Sequence, residues 1–288
     1  MSSQASSQLS KVWFVTGASS GLGRALVEEV LRRGDRVVAT ARRPQVLAEL
    51  AERADGRLRL IELDVTRPEQ VREAVAAALS HFGQLDVLVN NAGFSILGAV
   101  EETDEEALRA TMELMFFATI TTTREVLPHM RARGSGTIVQ ISSVAGLSTA
   151  PGFGAYCAAK HALEGVSESL AQEVKPLGIR VLVVEPGSFR TSLFGSAFRH
   201  VPAMEAYGAT VGQMRDWVKQ MDGKQAGDPA KAARAIADVV ARPSEALPFR
   251  LPLGGDAVEQ LRAKLAFIAA DVDRMEAIAR ATAFDAKP

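Results

Sequence analysis

One stretch near the N-terminus constrains the fold more than any other. Val12-Trp13-Phe14-Val15 is apolar at every position and runs through Thr16 into Gly17-x-x-x-Gly21-x-Gly23. A helical pattern follows, with Ala25, Leu26, Val30 and Leu31 at helical spacing and Gly34 as a stop. A strand apolar on both faces belongs inside a parallel sheet, and parallel strands need a crossover, usually a helix, between them. Gly17 permits the tight turn, and Gly21 lets the backbone approach a phosphate. The helix N-terminus supplies free N–H groups and the positive end of a dipole. Gly17, Ser19, Ser20, Gly21, Leu22 and Gly23 therefore read as the pyrophosphate cradle of a dinucleotide site. Their spacing is not the more general GxGxxG.

The alternation continues along the chain. Further strands are expected over Asp35–Thr40, Leu58–Leu63, Leu85–Val89, Thr137–Ile141 and Ile179–Val184, with an edge strand at Phe249–Leu253 where Pro252 is tolerated. Thr66-Arg67-Pro68-Glu69 reads as a capping box opening a helix to about Phe82. Thr103-Asp104-Glu105-Glu106 reads as a second, opening one long helix toward Arg131. Asp228-Pro229 is an N-cap with proline at the first helical position, and Ala232, Ile236, Val239 and Val240 mark the buried face beyond it. The pattern predicts an α/β fold: a doubly wound, mostly parallel Rossmann-type sheet with helices on both faces, in a single domain over 11–255. Residues 1–10, rich in Ser and Gln, read as a flexible tail without the apolar core of a signal peptide. Residues 256–288 read as an amphipathic helical extension of the same domain, able to cover an oligomer surface or a pocket mouth.

Composition excludes several partners. With 33 basic and 34 acidic residues the net charge is -1, so no basic surplus points to nucleic acid or an anionic membrane. No apolar run reaches the roughly 18 residues a membrane span needs. Cys157 is the only cysteine, which rules out an intrachain disulfide and fits a reducing, cytoplasmic setting. His81, His129, His161 and His200 are scattered, and no metal site is expected.

The chemistry is concentrated between Ser143 and Lys160. Tyr156 and Lys160 are four residues apart, so on a helix they share a face. A phenol titrates near pH ~10, and an ammonium beside it favours the phenolate. Ser143, at the end of a predicted strand, could hold a carbonyl oxygen against that phenol. Such a set suits proton transfer to or from an alcohol oxygen and needs a hydride partner. The end of the second strand bears on which one. NAD sites place an acid there to accept from the ribose 2′-OH. This chain has Ala41-Arg42-Arg43 instead, and a guanidinium can hold a 2′-phosphate. NADP(H) is thus preferred, with Arg42 as its reader and Ser19 as an added hydroxyl, and NAD(H) is the alternative.

Thr16-Gly17-Ala18-Ser19-Ser20-Gly21-Leu22-Gly23, Asn90-Asn91-Ala92-Gly93 and Tyr156-Cys157-Ala158-Ala159-Lys160 together resemble the short-chain dehydrogenase/reductase superfamily, closely over roughly residues 10–195. Ser143, 13 residues before Tyr156, matches the catalytic serine of that family better than Ser142. The resemblance implies that Asp64 and Val65 contact the adenine. It implies that the segment of Asn90, Ala92 and Gly93 flanks the adenine ribose and steadies the sheet. Glu185-Pro186-Gly187-Ser188-Phe189-Arg190-Thr191 resembles the loop whose Pro186, Gly187 and Thr191 meet the nicotinamide and its phosphate. Tyr156 and Lys160 would contact the cofactor too, with Lys160 bonding the nicotinamide ribose. Residues 192–226, with Leu193, Phe194, Phe198, Met204, Tyr207, Met214, Trp217 and Met221, would form a flap over a bulky hydrophobic substrate, and Phe94–Leu97 would line its pocket. A homodimer or homotetramer through the long helices beside the site is expected on the same ground.

One departure stands out. The family usually carries an Asn in the helix before the fifth strand, thought to hold a water that links the lysine to solvent. The alignment puts Met115 there, and a thioether donates nothing. Thr111 and Thr119, one turn to either side, could hold a substitute water. Cys157 reads as a small buried hydrophobe. The expected function is an NADP(H)-dependent oxidoreductase interconverting a ketone or aldehyde and its alcohol. The alternative is a catalytically weak NADP(H)-binding sensor or interaction protein, which Met115 alone supports.

Overall fold

The structure, a computed structural model, describes residues 10–195, 197–243 and 246–284. The predicted tail lies outside the described residues except for Ser10. The first crossover runs β1 (Val12–Val15), α1 (Gly21–Arg32), β2 (Arg36–Ala41), and a short α2 (Ala48–Glu52) leads to β3 (Leu58–Glu62). Then α3 (Pro68–Phe82) returns the chain to β4 (Val87–Asn90), which is followed by the three-residue β5 (Ser95–Leu97). Next come α4 (Glu105–Met112), α5 (Ala118–Arg133), β6 (Gly136–Ile141), α6 (Gly154–Val174) and β7 (Ile179–Pro186). The last third holds β8 (Phe198–His200), α7 (Gln213–Met221), α8 (Pro229–Val240), β9 (Arg250–Leu253) and α9 (Gly255–Arg280).

Seven strands form one parallel sheet in the order β3-β2-β1-β4-β6-β7-β9. The chain walks outward from β1 to β3 and then restarts on the other side of β1 at β4. That reversal opens a crevice beyond the carboxyl ends of β1 and β4, where open α/β sheets bind ligands. The period of two along β1 divides the core. Trp13 and Val15 pack with α1 and α8, while Val12 and Phe14 pack with α3 and α5. Both sheet faces are covered, which explains why β1 and β4 are apolar or buried at every position.

Both predicted capping boxes resolve differently. Arg67 is the N-cap of α3 and makes no side-chain cap; Thr66 instead gives its N–H and hydroxyl to Asp64 Oδ1, at 3.0 and 2.7 Å. Asp104, not Thr103, caps α4 by accepting from the Ala107 N–H at 2.7 Å, and the Thr103 hydroxyl donates to the Ala99 carbonyl. The expected single long helix is also interrupted. Glu113–Phe117 forms a π turn between α4 and α5, centred on Met115. Such turns insert a residue and re-aim the side chains around them. Asp228 caps α8 as its sequence predicts, accepting from Ala230 N at 2.8 Å.

β5 and β8 pair in parallel as a separate two-stranded ribbon, Ser95 opposite Phe198. The ribbon ties the start of the 192–226 segment to the chain leaving β4. Glu102 strengthens the tie: it accepts from Ala99 N and Met204 N, each at 2.7 Å, and pairs with Arg215 on α7 at 2.9 Å. Among the described residues no helix is long and apolar enough to cross a membrane.

Candidate active site

The glycine turn is held from behind. Thr16 Oγ1 accepts from Asn91 N at 2.9 Å and Ala92 N at 3.1 Å, and Asn91 Nδ2 donates to the carbonyls of Thr16 and Gly17. Gly17 sits at φ +64° with Ala92 Cα only 2.7 Å from where a Cβ would stand, so a side chain is excluded twice over. Gly21 sits at φ +55°, and a Cβ there would lie 3.3 Å from Thr191 Cβ, so the turn and the loop after β7 face each other. Ser20 is the N-cap of α1, yet its hydroxyl caps nothing, and no acid occupies the first turn. The N-terminal N–H groups of α1 are therefore left for an anion. Leu22 and Gly23 begin the helix, and Ser19 stands half-buried in the turn.

Arg42 follows directly on β2 and is exposed. Its charge reaches Asp64, whose carboxyl is held low against its own burial chiefly by the Thr66 hydrogen bonds, with Arg42 helping. Val65 beside it is buried. Asn90 behaves differently from Asn91: its amide donates to Thr123 Oγ1 and Gln140 Oε1, both at 3.0 Å, inside the core. That side chain ties β4 to α5 and β6. Gly93 faces the Met115 thioether, 3.6 Å from where its Cβ would be.

Ser143 leaves β6 in extended conformation and caps a short 3-10 turn, accepting from Ala145 N at 3.1 Å and donating to the Pro186 carbonyl at 3.5 Å. Tyr156 and Lys160 are both buried on α6. Burial pushes the Tyr156 phenol up to about 12, and the Ser143 hydroxyl beside it pulls in the opposite direction. Lys160 Nζ lies 5.8 Å from the Tyr156 ring centre and donates to the Ile141 carbonyl at 2.8 Å. Burial brings Lys160 down to about 8, and the Glu164 charge, one turn further along α6, opposes the fall. The expected lowering of Tyr156 by Lys160 is thus not what sets the phenol here; desolvation dominates.

Met115 is buried in a cluster with Phe94, Ile96, Tyr156 and Ala159. The two threonines offered as substitutes are engaged with their own helix: Thr111 donates to the Ala107 carbonyl at 2.7 Å and Thr119 to that of Met115 at 3.2 Å. Phe94 and Ile96 do reach the Tyr156 neighbourhood, whereas Leu97 packs in a separate cluster with Phe198, Val211 and Val218. Edge-on ring contacts at 5.8 to 6.4 Å run from Trp217 through Phe194, Phe198 and Phe153 to Tyr156. Cys157 is buried and its thiol is pushed up by burial, as a structural cysteine's would be.

Two supports escape the sequence reading. Asp256, at the start of α9, accepts from Ser188 N at 2.7 Å and so fixes the Pro186-Gly187 loop. Behind Lys160, Arg250 of β9 bonds Glu164 at 2.6 Å and also Glu185 and Glu168. The four-residue step from Lys160 to Glu164 was visible in the sequence; the approach of Arg250 and Asp256 depends on β9 pairing with β7. Among the described residues no group of three His, Cys, Asp or Glu side chains could hold a metal ion.

The family pattern described as short chain dehydrogenase matches residues 11–221. Oxidoreductase BOA17 of Botryotinia fuckeliana is 40% identical over 252 residues, covering 87% of this chain and 91% of the relative. A 3-ketodihydrosphingosine reductase of Bacteroides thetaiotaomicron is 34% identical, with coverage of 85% and 88%. The solved short-chain dehydrogenase of Streptomyces avermitilis superposes with a TM-score of 0.90 at 47% identity, over 96% of this chain and all (100%) of that one. Solved structures of the same fold include a short-chain dehydrogenase/reductase of Burkholderia phymatum in complex with NAD, at 20% identity and a TM-score of 0.74, and one of Burkholderia cenocepacia in complex with NADP, at 26% identity and a TM-score of 0.72. A matching sequence pattern, close relatives over nearly full length and the sheet order agree: the chain belongs to the short-chain dehydrogenase/reductase superfamily and is an oxidoreductase.

Proposed function

We propose that the protein is an NADP(H)-dependent oxidoreductase that interconverts a bulky hydrophobic ketone or aldehyde and its alcohol. The observation that carries this reading is the convergence of Ser143, Tyr156 and Lys160 beside the crevice that the glycine turn opens. The residues fit the dinucleotide: a side-chain-free turn and an uncapped helix start for the pyrophosphate, Thr191 across from them, Asp64 and Val65 for the adenine, and Arg42 for a 2′-phosphate. When bound, the nicotinamide supplies or accepts the hydride.

The chain's own residues handle the oxygen. Ser143 orients the carbonyl oxygen by hydrogen bonding. Tyr156, held protonated at neutral pH by its burial, donates the proton in reduction. Lys160, still largely an ammonium below about 8, offsets the charge left on the phenolate. The apolar neighbours Phe94, Ile96 and Met115 keep water from that proton. The aromatic line toward Trp217 supports a large apolar substrate, as does a relative named as a 3-ketodihydrosphingosine reductase. Intact proton-handling groups and relatives named as oxidoreductases favour an enzyme over a sensor. We place it in the cytoplasm as a homodimer or homotetramer.

The test is cofactor consumption with NADPH and NADH in parallel, over a panel of long-chain and aromatic ketones and aldehydes. Turnover with NADPH preferred at least tenfold, and loss of that preference in Arg42→Ala, is the expected result. A preference for NADH overturns the role of Arg42. Binding of NADPH with no turnover on any panel member overturns the substrate class.

A further inference from the structure

The last helix has no reason to be a helix on its own. α9 starts docked: Ala257 is buried and Asp256 holds the loop after β7. From Leu265 to Arg280 every residue except Asp271 is exposed, so the arm projects from the body for roughly 24 Å at ~1.5 Å per residue. A helix of that length without tertiary support is marginal in water. Yet its apolar residues are ordered. Val258, Leu261, Leu265, Ile268, Val272, Met275 and Ala279 follow one another at alternating steps of three and four. That is a period of about 3.5, the repeat that makes a helix pair with another helix along a continuous seam. Leu265, Ile268, Val272 and Met275 are exposed by 66, 45, 61 and 48%, so the seam has no partner among the described residues.

The charges beside the seam select the partner and its direction. Arg262 and Glu276 flank it on one side, Lys264 and Asp271 on the other. In a parallel pair, Asp271 of one copy would meet Glu276 of the other, two like charges. In an antiparallel pair crossing between Ile268 and Ala269, Arg262 comes within about one residue of facing Glu276 and Lys264 within about two of facing Asp271, each twice, offsets of roughly 1.5 and 3 Å that these side chains span. Glu276 and Asp271 also touch Arg280 and Arg274 of their own helix, at 2.7 and 3.3 Å, but these exposed pairs are weak and leave carboxylate lone pairs free. An anionic bilayer is disfavoured: Arg262, Lys264, Arg274 and Arg280 are outnumbered by Asp256, Glu259, Asp271, Asp273 and Glu276.

We propose that α9 is an assembly arm, in which two copies of this chain pair their α9 helices antiparallel along the Leu265–Ile268–Val272–Met275 seam. The pairing is independent of which reaction the site performs. Because Asp256 begins the same helix, the arm also attaches the second copy to the loop that follows β7.

Sedimentation equilibrium on the full chain tests it, with circular dichroism as the folding control. The Ile268→Glu/Val272→Glu variant should have half the assembled mass of the wild type, whether that mass is two copies or four. Arg262→Glu and Glu276→Arg should each raise the dissociation constant by about tenfold, since each turns two opposite-charge contacts into like-charge ones. The double variant Arg262→Glu/Glu276→Arg should return to within about threefold of wild type, the rescue that double-mutant cycles read as direct contact. A monomeric wild type, an unchanged mass in the seam variant, or a double variant no better than either single one overturns the proposal. So does flotation of the wild type, lost in the seam variant, with phosphatidylcholine/phosphatidylglycerol vesicles.

Discussion

Tyr156 and Lys160 are moved by the same force in opposite directions. Burial disfavours the charged form of each, so the phenol rises to about 12 and the ammonium falls to about 8. Reduction needs the phenol protonated and the lysine charged, and below about pH 8 both hold. As pH rises through 8 the lysine loses its proton while the phenol keeps its own. The pH profile of reductive kcat should therefore fall above about 8 through Lys160, not Tyr156. Glu164→Gln removes the charge that opposes the lysine's fall, so the descending limb should move to lower pH in that variant. A limb left in place would show that Glu164 acts only through Arg250. Tyr156→Phe should cost about 10²–10⁴-fold in kcat, the usual contribution of a general acid, with cofactor binding retained in a fluorescence titration.

At the scale of elements, the segment between β7 and α8 is held to the body by the β5–β8 ribbon, by the Tyr207 hydroxyl on Glu101 and by the buried Glu102 carboxylate. Burial pushes Glu102 up, but the Met204 and Ala99 N–H groups and Arg215 outweigh it and hold the carboxyl below its ordinary value. Its side chain is fully enclosed and Arg215 is nearly so. Breaking a buried pair from one side strands the other charge, at about 3–5 kcal/mol. In Glu102→Gln, hydrogen exchange over residues 201–221 should rise steeply while β6 and β7 stay protected. Arg215→Met in the same background should recover part of the loss, because the stranded guanidinium is gone. Equal exchange in both variants would mean that the stranded Arg215 guanidinium contributes nothing to the loss.

Across the whole molecule, α1 and α8 are clamped on one face of the sheet. Glu29 accepts from Arg32 at 2.8 Å and Arg33 at 2.7 Å, and Arg33 reaches Asp238 on α8 at 2.6 Å. The hydrogen bond from Arg32, aided by Arg33, brings Glu29 down to about 2 against its burial. A carboxyl lowered on folding contributes stability that is complete above its ordinary value of 4.5 and is lost as pH falls toward 2. Chemical denaturation should show that loss between pH 4.5 and 2, flattened in Glu29→Gln. At pH 7 that variant should cost about 1 kcal/mol, since Arg32 is largely solvated. An acid limb unchanged by the substitution would place the sensitivity in other carboxylates.

The sequence alone was enough wherever a residue's role follows from its near neighbours. Strand β1, the glycine turn and α1 form one local unit, so their order was legible, as were Asp228 as a cap and the shared face of Tyr156 and Lys160. The family resemblance added Ser143 and the Pro186–Thr191 loop. What it missed depends on contacts between residues distant in the chain. Thr66 and Thr103 have capping chemistry, but Asp64 and the Ala99 carbonyl claimed their hydroxyls. Pro128, more than three turns beyond Met115, is the only proline or glycine in the helix through it, so nothing in the sequence announces the π turn; packing against Tyr156 and Gly93 accompanies it. Asn90 and Asn91 are adjacent and chemically identical, and only the sheet decides that one faces the core and the other the glycine turn. The pKa of Tyr156 was read from its charged neighbour, but burial, which only the folded chain creates, sets it. The seam of α9 reverses this: its period is written in the sequence, and the tertiary structure adds that no described residue of the same chain covers it, which leaves it open to a second copy.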